Sequence, residues 1–166
     1  MRGLIAPLTF ALLSACVSAP PPATGFRDPT VPMRAVAALD MDQFAGRWQE
    51  VQTYLPAGAS CLLGGVTFAP QSNGDLTVIE GPCADGKPRN GLARRIGPSR
   101  YMFGGEELWL IWADFEYSVA AIGTPNGRAH IIARSLNPPA DKVAAAREIL
   151  DWVGYDVTKL APARRR

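Results

Sequence analysis

One histidine, three cysteines and a formal net charge of only +2 narrow the field before any motif is read. A lone histidine, His130, builds no metal site by itself, because protein ligands to metals come in clusters. No Gly-x-Ser-x-Gly turn is present to present a nucleophile, and no cofactor motif or paired catalytic groups stand out, so an enzyme is not the expectation. The near-neutral charge lacks the electrostatic footprint of a nucleic-acid binder. The apolar run from Leu4 to Leu13 is too short for a bilayer, which needs about 20 residues. What is abundant is hydrophobic residues, 48% of 166, enough for one domain with a real core.

The start of the chain reads as an address. Met1-Arg2 supplies positive charge, Leu4 to Leu13 supplies an apolar run of secretory length, and Leu13-Ser14-Ala15-Cys16 follows. This resembles a bacterial lipobox, in which cleavage precedes the cysteine and the lipid is added to it. Residues 1–15 are then a leader and Cys16 carries more than one acyl chain, each buried methylene contributing ~0.8 kcal/mol. Val17 in place of Asp favours the outer membrane, by resemblance. Residues 16–38, with Ala19-Pro20-Pro21-Pro22-Ala23, Pro29 and Pro32, read as a stiff tether, and the folded domain is expected to begin near Val36. The tail Arg164-Arg165-Arg166 reads as a solvated basic end.

Short alternating segments bounded by turn residues then follow. Asp40 is expected to cap a helical turn over Met41 to Phe44. Strands are expected over Arg47–Leu55, Leu62–Phe68, Leu76–Glu80, Arg89–Ile96, Arg100–Phe103, Leu108–Ala113, Tyr117–Ile122 and Arg128–Ser135. Eight strands without intervening helices predict an all-β, up-and-down antiparallel barrel. Asn137-Pro138-Pro139 predicts a helix start with Asn137 as cap, and Val143, Ala146, Ile149, Leu150 and Val153 recur at helical spacing over Ala140–Val153. That helix should pack outside the barrel, with Val157 and Leu160 adding a ninth short strand.

Three distant segments carry a family resemblance: Gly46-Arg47-Trp48 preceded by Phe44, Ala113-Asp114-Phe115-Glu116-Tyr117, and Arg134 ahead of the helix. Their order and separation resemble those of lipocalins, in particular the bacterial outer-membrane lipoproteins of apolipoprotein D-like type. The closing Gly154-Tyr155-Asp156-Val157-Thr158-Lys159-Leu160 also looks like that group, so the resemblance covers residues 39–160. It implies a structural role for Gly46, Trp48, Asp114, Tyr117 and Arg134, with Arg134 stacked on Trp48 at the closed floor. It also implies a small hydrophobic ligand, a fatty acid or lysophospholipid, in the cavity. Gln49, His130 and Ala133 depart from the family's usual residues.

Simple alternation puts Trp48, Glu50, Gln52 and Tyr54 on one face of the first strand. His130 shares a face with Arg134 and is expected to point inward, either as a hydrogen-bonded pocket residue or as a contact to a ligand carboxylate or phosphate. Glu50 is either a structural partner or a ligand contact. Trp109 and Trp112 fall on opposite faces by parity, so one should line the cavity; which one stays open. The candidate ligand contacts are therefore His130, Glu50, Tyr54 and Trp112. Cys61 and Cys83 stand at the start of strand two and just after strand three, where adjacent strand ends bring them within disulfide reach in an exported protein. A protein-interaction barrel with a filled lumen is the alternative.

Overall fold

The computed structural model describes residues 25–36, 39–54, 62, 64–82 and 87–163. Among these residues nine strands follow one another: β1 (Gly46–Tyr54), β2 (Val66–Pro70), β3 (Leu76–Pro82), β4 (Pro88–Gly97), β5 (Arg100–Phe103), β6 (Glu106–Ala113), β7 (Val119–Gly123), β8 (Ala129–Ala133) and β9 (Leu160–Pro162). A single turn of helix, α1 (Met41–Phe44), precedes β1, and α2 (Ala140–Trp152) follows β8. Each of β2 to β7 pairs antiparallel with the next, and β1 closes the ring by pairing with both β8 and β2. The result is an eight-stranded antiparallel barrel with one added strand and one C-terminal helix, as the alternation and turn spacing predict.

β1 holds the barrel shut by dividing one edge between two partners. Its lower half, Gly46 to Trp48, pairs with β2; its upper half, Gln52 to Tyr54, pairs with β9. β8 runs along the other edge. The end of the barrel near Gly46 is floored by α1. Asp40 caps it, accepting from the Asp42 and Gln43 amides at 3.0 and 3.2 Å.

Two apolar layers result. The inner one fills the barrel with Phe44, Trp48, Phe68, Val78, Tyr101, Phe103, Leu108, Leu110, Ile122 and Ile132, among others. The outer one lies between the wall and α2, where Ala146 and Leu150 of the helix stripe are buried against Ile111, Val119, Ala121 and Ile131. Burying such a stripe contributes about 25 cal/mol per Å² of apolar surface.

Four expectations are corrected. Residues 25–36, read as tether, are packed on the barrel. Phe26 stacks on Tyr54 with centroids 4.3 Å apart, and Asp28 donates its amide to the Gly154 carbonyl at 2.8 Å. The Arg27 side chain is buried and donates to the Val153 carbonyl at 2.9 Å and to that of Val31. Proline content masked this, because a strap held by side-chain contacts needs no alternation. β2 begins at Val66, not Leu62, because Gly65 turns at φ 106° where a Cβ would lie 2.0 Å from the Trp48 carbonyl. The cap of α2 is Pro139, with no side-chain hydrogen bond; Asn137 does not reach it. Finally, bulges break strand parity in β1 and β6, with consequences for the site given below. Cys16, Cys61 and Cys83, with the leader and the arginine tail, lie outside the described residues.

Candidate functional site

One end of the barrel is floored by α1, with an open groove of about 340 Å³ between α1 and the β2–β3 and β4–β5 turns beside Leu76 and Tyr101, and the other end is polar. At the floored end Trp48 is fully buried, donates its indole N–H to the Phe44 carbonyl at 2.9 Å, and lies 4.9 Å from the Phe44 ring, which in turn meets Phe68. The Arg134 guanidinium covers the Trp48 ring at 3.9 Å. It donates to the carbonyls of Arg47, Gln43, Phe44, Ala45 and Tyr117 at 2.7 to 3.3 Å. Burial lowers the Arg134 pKa from the ordinary arginine value. Gly46, at φ 96°, lets the chain turn into β1 with only 3.4 Å between its would-be Cβ and Arg134.

Asp114 and Tyr117 brace the same end. Burial pushes the Asp114 carboxyl up, but Lys142, the Val119 and Ser118 amides and the Ser118 hydroxyl outweigh it, so the net shift is downward. The Lys142 ammonium donates to Asp114 at 2.7 Å and also to Glu116, joining α2 to the β6–β7 loop. Tyr117 holds a left-handed backbone, φ 51°, and its hydroxyl accepts from the Asp40 amide at 2.9 Å. Residues that the family resemblance marks as structural therefore meet in one place, where a side chain and a main-chain carbonyl or amide tie α1, β1, the β6–β7 loop and α2 together.

At the other end, among the described residues, two ion pairs and a histidine–carboxylate hydrogen bond surround the opening. His130 Nδ1 lies 2.7 Å from Glu50 Oε1, with Thr53 Oγ1 3.2 Å from the same nitrogen. Arg89 Nε meets Glu80 at 2.7 Å, and the Arg89 guanidinium also covers Phe103 at 5.2 Å. Arg128 pairs with Glu106. Leu62, Phe103, Leu108 and Ile122 line the space just beneath, and the open volume there is about 40 Å³. That is room for a few waters, where drug-sized ligand pockets measure roughly 300–1,000 Å³.

Of the four candidate ligand contacts, the structure brings Glu50 and His130 together at the mouth and turns the other two away. Between Glu50 and Gln52 the β1–β8 register slips by one residue. Strand parity inverts, so Thr53 faces His130 while Tyr54 joins the outer layer with Phe26, Tyr155 and Leu160. Burial there pushes the Tyr54 phenol pKa up. A second slip, between Leu110 and Trp112, does the same in β6. Trp109 and Trp112 both pack against the outer layer, and Leu108 and Leu110 face in. Neither tryptophan lines the lumen.

Glu80, Arg89, Glu106, Arg128 and Thr53 were missed as mouth residues. A signal existed for the first two: Glu80 follows Leu76 and Val78 at even spacing, and Arg89 precedes Gly91 and Ala93. For Thr53 there was none, since its orientation depends on the bulge.

No family model matches the chain, and no curated protein matches it in sequence. Solved structures do match in shape. Apocrustacyanin C1 superimposes with a TM-score of 0.59 at 16% identity, covering 82% of this chain and 91% of that one. Per a 4, a major allergen from cockroaches, gives 0.59 at 11% identity over 84% and 97%. Apocrustacyanin C2 gives 0.57 at 17% identity over 82% and 91%. At these identities the likeness is one of architecture: a closed eight-stranded antiparallel barrel, an extra strand and a single C-terminal helix, which is the lipocalin fold.

Proposed function

We propose that the protein is a lipid-anchored binder of one small hydrophobic ligand, a fatty acid or lysophospholipid, held with its polar head at the mouth. The observation that carries this is the polarity of the barrel. The interior is apolar, Arg134 and Trp48 pack across one end, and the other end opens beside two ion pairs and the His130–Glu50 hydrogen bond. Apolar burial supplies affinity and a few polar groups orient the head. Admitting an acyl chain requires Phe103 or Leu108 to turn from the positions that leave about 40 Å³ open.

The reading is a carrier rather than an enzyme. The anchor reading rests on Leu13-Ser14-Ala15-Cys16, and Val17 supports the periplasmic face of a bacterial outer membrane. A Cys61–Cys83 disulfide is part of the same proposal. The Gly81 amide donates to the Gly65 carbonyl at 2.7 Å, so the flanking strand ends run side by side. Intact mass before and after reduction and alkylation tests it.

The narrow open volume favours a second reading, a protein-interaction barrel whose lumen is filled by its own side chains. Native mass spectrometry separates the two. The chain from Gly25 onward, purified without detergent and titrated with fatty acids and lysophospholipids, is expected to retain one lipid per chain. Uptake of none supports the filled barrel.

A further inference from the structure

The described chain starts at the mouth, not at the floor. The Phe26 amide donates to the Gly127 carbonyl at 3.2 Å, and a Cβ on Gly25 would lie 2.3 Å from the Asn126 carbonyl. Asn126 and Gly127 form the β7–β8 turn, whose flanking Gly123, Thr124 and Arg128 line the opening. From there the strap runs down the outside of the barrel, the Val36 amide reaching the Ile111 carbonyl at 3.1 Å, before α1 closes the floor. Cys16 stands nine residues ahead of Gly25.

The same end carries side chains suited to a lipid surface. Trp152, the last residue of α2, is 80% exposed. Its neighbours Val153 and Gly154 receive hydrogen bonds from Arg27 and Asp28, and the Tyr155 hydroxyl donates to the Thr124 carbonyl at 2.8 Å. Trp152 therefore sits at the level of the mouth. Lys159, 60% exposed and paired with Asp156 at 3.0 Å, lies 5.9 Å from the Phe26 ring at that level. Tryptophan, with an apolar body and a polar N–H, is enriched where membrane meets water, and lysine joins it there.

We propose that the open end of the barrel faces the membrane surface, held there by the short reach from acylated Cys16 to Gly25 and by contact of Trp152 with the lipid. This rests on the anchor reading above. Length favours this orientation. Nine residues span at most roughly 30 Å fully extended. β4, ten residues rising ~3.3 Å each and tilted ~40°, sets a barrel height of about 25 Å. With the floor toward the membrane, Gly25 would stand that full height away and nearly all of the reach would be used along the wall. With the mouth toward the membrane, a few ångströms suffice. A lipid could then pass between bilayer and lumen without crossing water.

The experiment uses the processed full-length chain in phosphatidylethanolamine–phosphatidylglycerol vesicles carrying brominated acyl chains, with tryptophan emission as the readout. Bromine quenching is expected, and it should fall several-fold in Trp152→Phe. Phe115, 97% exposed in the β6–β7 loop at the floored end, supplies the opposite probe. Phe115→Trp should add emission that bromine leaves untouched. Quenching of the Phe115→Trp signal, with none lost in Trp152→Phe, overturns the orientation and leaves the anchor standing if intact mass shows acyl chains on Cys16. A chain without acyl mass overturns the anchor reading and the orientation with it.

Discussion

The Arg134 guanidinium lies 3.9 Å above the Trp48 ring and donates to the carbonyls of Gln43, Phe44, Ala45 and Arg47, just ahead of that tryptophan in the chain. The cation is thus a bolt through the floor: it joins the end of β8 to the entry of β1 and leaves few of the α1 carbonyls facing water. The cation–π contact contributes about 0.5–2 kcal/mol. Each hydrogen bond to a charged donor adds roughly 1.5–3 kcal/mol net when well made.

Replacing Arg134 with Met should therefore destabilise the barrel by about 3 kcal/mol, lowering the melting temperature by roughly 6–12 °C. Arg134→Lys should recover only part, because a point charge cannot serve several carbonyls in a planar fork. Thermal unfolding by circular dichroism checks this; a Lys variant as stable as the parent would show that charge alone matters.

Stability should fall in acid through Asp114. Its folded pKa is below 3.8, so its pairing with Lys142 contributes fully above that value. The contribution is lost as pH drops through the lower, folded value. Asp114→Asn should be less stable than the parent at pH 7, and the gap should close as pH falls below about 3.8. Urea unfolding at a series of pH values measures it, and a gap independent of pH would refute the assignment.

His130→Ala should weaken binding of anionic lipids, because it removes from the mouth an imidazole that can hydrogen-bond a carboxylate or phosphate head. Titration with a fatty acid, with a neutral lipid as control, reports it. Equal affinity for parent and variant throughout would remove His130 from the site.

Tyr54→Phe and Trp112→Phe should leave ligand affinity unchanged, since both side chains pack outside the wall. A marked loss of affinity in either would mean that the bulged registers of β1 and β6 do not persist when lipid is bound.

A chain beginning at Val36 should be less stable than one beginning at Gly25. The shorter chain exposes the Tyr54 ring and strips Val153 and Gly154 of their partners Arg27 and Asp28. Chemical denaturation of the two lengths compares them directly. Equal midpoints would mean that the strap only rests on the barrel.

Much of this architecture was legible in the chain. Turn residues at short spacing place every strand to within a few residues, and Asp40 marks α1 because a short acidic side chain caps a free helix N-terminus. Gly46, Trp48, Asp114, Tyr117 and Arg134 could be read together through the family resemblance of their three segments. What could not be read was the facing of side chains beyond a slip. Periodicity assigns Gln52 and Tyr54 to the side of Trp48, yet one extra residue after Glu50 exchanges the two faces. Such a bulge has no residue signature here, since neither Val51 nor Ile111 is a glycine or a proline. The strap escaped for a related reason: Arg27 and Phe26 are held by distant side-chain contacts that leave no local pattern.

The divided edge of β1 bears on how the chain is made. The strand formed first waits longest for its neighbours, because its lower partner is β2 but its other edge needs β8 and its upper stretch needs β9. Nearly all of the polypeptide must have emerged before the wall can close, and pairings of such long sequence separation form slowly. A chain threaded through a membrane from its N-terminus would so arrive open and close on the far side. One cut short before Leu160 would keep an unpaired strand edge from Gln52 to Tyr54, a template for another copy.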